Sequence, residues 1–343
     1  MKNILTMKEK EFLGIDIHKN IIRYSALYKG KWIYGEKMGK EVFLKNNNIK
    51  NSEELKELLI EIFSEVHIKK PKVAIVAPNF NLIIKQIPLQ GMTSEKEIRD
   101  FLFLELGSSI SLPFEDPIFD LLILERPNIK KKKDKKIDSS KTTKTIKRNR
   151  FAVNSKVPII ISSETLLEKL GEVVKQSGGT LAKVSFSSLE YTKILKNQIR
   201  WGENFVLIEI DSGEVTITIF ENLTPVYVHY EPYNQSNWQY QEEDKQIIPI
   251  ITQELEALNN LAKIVNDVIY YFESEISIGS KINAIYIVGG HPSLKKEVYH
   301  IIKSSSSLSV SVPRSPLKIN DQKRLVPYRF LLASSLALGG EKS

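Results

Sequence analysis

Twice along this chain three alternating β-runs lead into a helix and a short buried strand, and both times the opening strand ends on acids. In the first set the runs are Phe12–Ile17, Ile21–Tyr28 and Lys31–Lys37, with turns at Lys19-Asn20 and Lys29-Gly30. Apolar residues Leu55, Leu58, Leu59, Ile62, Phe63 and Val66 then recur at helical spacing, predicting a helix over 51–68 with Ser52 as its cap, before the buried run Val73–Ala77. In the second set Phe205–Ile210, Val215–Phe220 and Val226–Tyr230 precede a helical stretch over 247–275, the strand Ala284–Val288, a Gly289-Gly290 turn and a helix over 293–303. A duplicated β-β-β-α-β unit predicts a bilobed α/β fold with a ligand cleft between the lobes.

Between the two sets lie further strands at 82–87, 118–125 and 156–162. Helices are predicted after Thr93 or Ser94, after Ser163 with Gly178-Gly179 as its stop, and over 187–196, where Ser187 and Glu190 read as a capping box. The boundaries that follow are 11–79 and 163–200 for the first lobe, 80–162 for a small inserted subdomain, and 201–340 for the second lobe, with a reduced portion at 231–275.

Composition narrows the function classes. A chain of 343 residues with 42% apolar and 26% charged residues is an ordinary globular protein. It has no cysteine, so disulfides, thiolate nucleophiles and thiolate metal sites are excluded and a reducing compartment is expected. Its five histidines show no metal-binding spacing, so no metal site is expected from motifs. The first ten residues lack the apolar core of a signal peptide, and no apolar run is long enough to span a bilayer; the expected location is cytoplasmic.

The net charge of +8 is concentrated in one place. Residues 129–150 hold nine lysines and two arginines against two aspartates, which leaves the rest of the chain nearly neutral. This run, including Lys130, Lys131, Lys132, Lys133, Lys135, Lys136, Lys147 and Arg148, has too few apolar residues to fold and reads as a flexible loop. Its alternatives are a plain solvated insertion or a surface attracted to anionic membrane. Without interleaved aromatics it does not read as a nucleic-acid site.

Several segments together resemble the actin-like ATPase superfamily, and within it the PilM-like proteins related to FtsA. They are Leu13-Gly14-Ile15-Asp16-Ile17 with Ile22-Arg23; Ala77-Pro78 and Ile84-Lys85-Gln86-Ile87-Pro88-Leu89; Met92–Glu105 with Leu112-Pro113-Phe114; Asn283–Gly290; and Val326-Pro327-Tyr328 through Gly339. The resemblance implies an actin-like (ribonuclease-H-like) duplicated fold with a small PilM/FtsA-type insertion and a shortened second-lobe subdomain. It also implies a cytoplasmic scaffold of type IV pilus or competence pseudopilus assembly, peripheral at the inner face of the membrane. Its partners would be the N-terminal tail of a PilN-like membrane protein, other machine components, and conceivably further copies of itself. The tail groove would lie near 82–124, with Ile87, Leu89, Ile98, Phe101 and Leu102 as its candidates.

The same resemblance makes Asp16, His18, Lys19 and Asn20 the first phosphate turn, Glu209, Asp211, Ser212 and Gly213 the second, and Gly289 and Gly290 the adenosine turn. ATP and Mg²⁺ are the cofactors implied if the site works, with Asp16 ordering the hydrated metal. Each turn departs from the family pattern. His18 puts a ring where the family has glycine, and the Lys19-Asn20 pair is also what a plain hairpin turn would carry. Glu209 and Asp211 compete for one aspartate position, and His291-Pro292 follows the glycines. The polar stretch 231–246 replaces a subdomain that would wall the adenosine. The reading is therefore a scaffold with weak or no ATP binding and no catalytic residue. The alternatives are an active ATP-binding switch and, further off, a sugar-kinase-type enzyme, which would need a carboxylate base.

Overall fold

The computed structural model describes residues 12–45, 48–106, 110, 112–122, 156–211, 213–222, 224–232, 240–243, 246–249, 254–319 and 324–339. The chain opens with the predicted meander: β1 (Phe12–His18), β2 (Ile21–Tyr28) and β3 (Lys31–Met38), each antiparallel to the last. A two-residue hairpin, β4 (Leu44–Lys45) and β5 (Asn48–Ile49), leads into α1 (Ser52–Glu65). Asn51 rather than Ser52 caps that helix, its side chain accepting from the Glu54 N–H. After β6 (Lys72–Val76) the chain leaves for β7 (Ile83–Pro88), α2 (Glu95–Glu105), β8 (Pro117–Leu121) and β9 (Lys156–Ser163). It returns through α3 (Glu164–Gln176), β10 (Thr180–Ser185) and α4 (Ser187–Ile194).

The second half holds β11 (Phe205–Asp211), β12 (Glu214–Glu221) and β13 (Thr224–Pro232), again antiparallel. Here the sequence reading is corrected: Gln246–Pro249 is not the start of a helix but β15, paired with β14 (Tyr240–Glu243), and the helix α5 runs Glu254–Tyr271. The chain closes with β16 (Ala284–Val288), α6 (Tyr299–Ser305), β17 (Ser309–Ser311) and α7 (Leu331–Ala337).

Two five-stranded sheets result, ordered β10-β6-β1-β2-β3 and β13-β12-β11-β16-β17, with the same mixture of an antiparallel meander and parallel neighbours. The first sheet buries Leu13, Ile15, Val73 and Ile75 under α1 and α3. The second buries Ile208, Ile217 and Ile287 under α5 and α6. A third core joins the sheets on their inner faces, where Tyr191 of α4, Leu195 just after it and Leu331, Leu332 and Leu336 of α7 pack with Val76, Leu207 and Val288. Helix α7 lies so close to β1 that a Cβ on Gly14 would stand 1.9 Å from the Ala333 carbonyl oxygen. The three-stranded sheet β7-β9-β8 with α2 has its own core.

The α4 capping box read from the sequence does not form. Helix α4 has Phe186 at its N-cap position without a side-chain cap, because both residues are drawn elsewhere: Ser187 into the cleft, and Glu190 into a buried charge cluster. Glu190 accepts from Lys183 at 2.7 Å, Ser185 at 2.6 Å, Lys193 at 2.9 Å and Ser335 of α7 at 2.9 Å. Burial alone would raise its pKa, but the two lysines and the hydrogen bonds outweigh burial and hold it at about 2.

Because the folded carboxyl titrates below the unfolded one, the stabilisation is complete above the ordinary value of 4.5 and is lost as pH falls through about 2. The shift corresponds to roughly 3 kcal/mol, reduced to about 2 kcal/mol because Lys193 is half exposed. Glu190→Gln is expected to be less stable than the parent by that amount at pH 7, with the gap closing toward pH 2. Denaturant melts across that range measure it.

Candidate functional site in the cleft between the lobes

Both acid-bearing strands of the two meanders, β1 and β11, are central in their sheets and aim their ends at each other. The strand pattern explains what this brings together. Residues at period two share a face, so Asp16 and His18 of β1 point the same way, as do Glu209 and Asp211 of β11. All four are 3% exposed or less.

His18 is the hub. Its Nδ1 hydrogen-bonds Glu214 at the start of β12. Its Nε2 lies 2.8 Å from Asp16 Oδ1, 3.9 Å from Glu209 Oε1 and 3.8 Å from Asp211 Oδ2. Burial works against a charge on the ring, but the carboxylates of Asp16, Asp211 and Glu214 prevail and raise its pKa well above the usual imidazole value.

Arg23, directly across from Asp16 in the β1–β2 register, completes the bridge between lobes. Its Nη1 donates to Asp211 Oδ2 at 2.6 Å, and its Nε stands 3.4 Å from Glu36 of β3, which also meets Arg329 at 3.2 Å. The same Asp211 oxygen accepts the backbone N–H of Gly290 at 2.8 Å. A Cβ on Gly290 would fall 2.1 Å from Arg23 Nη1 and 2.5 Å from Asp211 Oδ2, so the space that its glycine leaves open is filled by the protein's own ion pair. Glu209 is anchored through Oε2 by Asn79 at 3.2 Å and by Ser187. Burial, opposed by His18 and the Ser187 hydrogen bond, pushes its carboxyl up to about 8.

The residues expected to form the site therefore separate. Asp16, His18, Glu209, Asp211 and Gly290 converge, and Gly289 forms the adjoining turn at φ +116° beneath the Ile210 carbonyl. Lys19 lies over Gly213. Asn20 turns away and donates to the Gly39 carbonyl at 3.0 Å. Ser212 and the basic residues of 130–148 lie outside the described residues. Of the groove candidates, Ile87, Leu89, Ile98 and Leu102 are buried in the small subdomain's core, while Phe101 is partly buried against it.

Arg23, Glu36, Asn79, Ser187, Glu214 and Arg329 were not singled out as site residues from the sequence. The usable signal was Arg23, a lone cation in a strand otherwise built to be buried.

One concavity borders the cluster and another lies apart from it. The first, about 570 Å³, is lined by Lys19, Lys45, Phe80, Phe114, Glu214 and Tyr230. The other, about 540 Å³, lies between the inserted sheet and the first lobe, with Leu82, Ile118, Leu121, Phe186 and Leu189 among its walls.

Two duplicated lobes, a shared cleft at the ends of β1 and β11 and an insertion after the first β-β-β-α-β unit constitute the actin-like fold. Among solved structures the chain is similar to the PilM-PilN type IV pilus biogenesis complex, at a TM-score of 0.69 and 14% identity over 96% of this chain and 98% of that one. The chain shares its fold with the chain it matches in that complex. The ethanolamine utilization protein EutJ from Carboxydothermus hydrogenoformans is also similar, at a TM-score of 0.51 and 12% identity over 96% and 89% of the two chains. No family model and no curated protein sequence matches the chain.

Arg23→Met would leave Asp211 and Glu36 buried with their charge uncompensated on that side, a loss expected to cost about 3–5 kcal/mol. Equilibrium urea unfolding of the variant beside the parent measures it.

Proposed function

We propose that this protein is a nucleotide-free actin-like scaffold of a type IV pilus or competence-type pseudopilus machine. On this reading it grips the N-terminal tail of a PilN-like membrane protein. The observation that carries the reading is the likeness to the PilM-PilN complex over nearly the whole of both chains.

The nucleotide-free part rests on the filled cleft. In the turn that would face an adenosine, the Gly290 N–H is taken by Asp211, and Arg23 stands over the glycine. The carboxylates of Asp16, Asp211 and Glu214 around His18 would repel phosphate oxygens. The residues present do not fit Mg-ATP.

The tail site we assign to the 540 Å³ cleft between the inserted sheet and the first lobe. Strand β8 is at the edge of the small sheet, with Ile118 41% exposed, so an extended peptide could add to that edge while its side chains enter the apolar cleft. Among the described residues no helix is long and apolar enough to cross a membrane. A place at the inner face of the membrane would thus come through the partner, assisted by attraction of the basic run to anionic lipid.

A synthetic peptide of a PilN-like cytoplasmic tail is expected to bind in isothermal titration without nucleotide, and Leu121→Arg is expected to weaken it at least tenfold. Absence of binding with and without Mg-ATP would overturn the scaffold reading. Micromolar ATP binding lost in Asp16→Ala would replace it with the switch. For the basic run, deletion of Lys130–Arg150 is expected to reduce capture by phosphatidylserine vesicles.

A further inference from the structure

Three polar atoms of the cleft cluster are buried and make no hydrogen bond: Asp16 Oδ1, His18 Nε2 and Glu209 Oε1. They face one another. The 2.8 Å approach of His18 Nε2 to Asp16 Oδ1 lies outside hydrogen-bonding angles, and Glu209 Oε1 and Asp211 Oδ2 stand a further ångström off on the same nitrogen. The donor atoms of Asp16, His18 and Asp211 all fall within 4.8 Å of one another. A buried polar atom without a partner costs about 1–3 kcal/mol, and three aimed at one point share that cost in a single spot.

Three of the four side chains are held in place by neighbouring groups. His18 Nδ1 is bonded to Glu214, which fixes the ring and presents Nε2 inward. Asn79 and Ser187 hold Glu209 by Oε2 and leave Oε1 free. Arg23 and the Gly290 N–H hold Asp211 through Oδ2, the same oxygen that stands 3.8 Å from His18 Nε2. An imidazole anchored through its far nitrogen by a carboxylate, beside carboxylates that are themselves hydrogen-bonded, is the outer-shell pattern of a protein metal site.

We propose that the cleft binds one divalent transition-metal ion, Zn²⁺ or Mn²⁺, without nucleotide. Asp16 and His18 of the first lobe and Glu209 and Asp211 of the second are its ligands. One nitrogen and three carboxylate oxygens suit these ions, whereas Mg²⁺ prefers an all-oxygen shell with several waters. Ligands about 2.0–2.2 Å from a tetrahedral metal stand roughly 3.3–3.6 Å apart. His18 and Asp16 need only part by about half an ångström; Asp211 and Glu209 stand 3.8 and 3.9 Å from His18 Nε2, and Glu209, which lies outside the group of donor atoms within 4.8 Å of one another, must swing in further to complete the shell. The ion takes the place of the proton on His18 Nε2 and ties the two lobes. The proposal is independent of the tail-binding reading, since metal uptake and peptide binding are read separately.

The test uses the full chain, dialysed against EDTA and titrated with Co²⁺ and then Zn²⁺ in the absence of nucleotide. One Co²⁺ per chain with visible ligand-field absorption, displaced by Zn²⁺, is expected, together with a metal-dependent rise in melting temperature. His18→Ala should abolish uptake, and Glu209→Gln, which preserves size and the Ser187 contact, should weaken it at least tenfold. No uptake at micromolar metal, or undiminished uptake in both variants, would overturn the proposal. Should His18→Ala fail to fold, the parent's cobalt spectrum and the Glu209→Gln titration decide alone.

Discussion

The ion pair between Arg23 and Asp211 is the contact on which the arrangement of the cleft depends. Both side chains are essentially removed from water, and a pair in that setting is maintained only if each member's remaining valence is met. Here it is met on both sides: Glu36 receives the other edge of the guanidinium, and the Gly290 turn receives the other approach to the carboxylate. The position of Asp211 in turn fixes where β11 ends relative to β16, and hence the direction in which the Gly289-Gly290 turn leaves the sheet. A buried charge thus sets backbone geometry in the lobe opposite to the one that supplies the cation.

Around this pair the lobes meet through two materials with different tolerances. The helices α4 and α7 form a mainly apolar layer that joins the sheets, crossed by the Ser335–Glu190 and Ser334–Ser25 hydrogen bonds, while the cleft residues form a polar layer dominated by charge. In an actin-like clamp that closes on a ligand, the two hairpin turns face the ligand. Here they face each other, with His18 and Lys19 reaching from one toward Glu214 and Gly213 of the other. Closure is then a property of the chain itself.

Much of this architecture was legible in the amino-acid order. The two meanders, the helices over Leu55–Phe63 and Leu166–Val174 and the Gly-Gly turn follow from period and punctuation alone, and their sheets have the order that such a duplication requires. Polar residues whose local and long-range partners compete were misread. Ser187 and Glu190 stand at capping-box spacing, yet Asn79 and Glu209 on one side and Lys183 on the other offer dry partners that a helix end cannot match. Ile87, Leu89, Ile98 and Leu102 are apolar at the right place in the chain, but sequence does not say whether an apolar face meets a partner or its own sheet. The strand at 246–249 was lost in a helical stretch because an apolar run of that length has no period of its own.

The approach of α7 to Gly14 has a consequence for how the protein is made. Ser334 hydrogen-bonds Ser25, 309 residues earlier in the chain, so β1 and β2 emerge first from the ribosome and wait for a helix that emerges after both sheets. At about 5–20 residues per second that wait is on the order of fifteen seconds to a minute. Throughout it the face of β1 and β2 that α7 will cover, with Gly14 and Ser25 on it, stands without that helix, and the two strands can reach their final packing only at the end of synthesis.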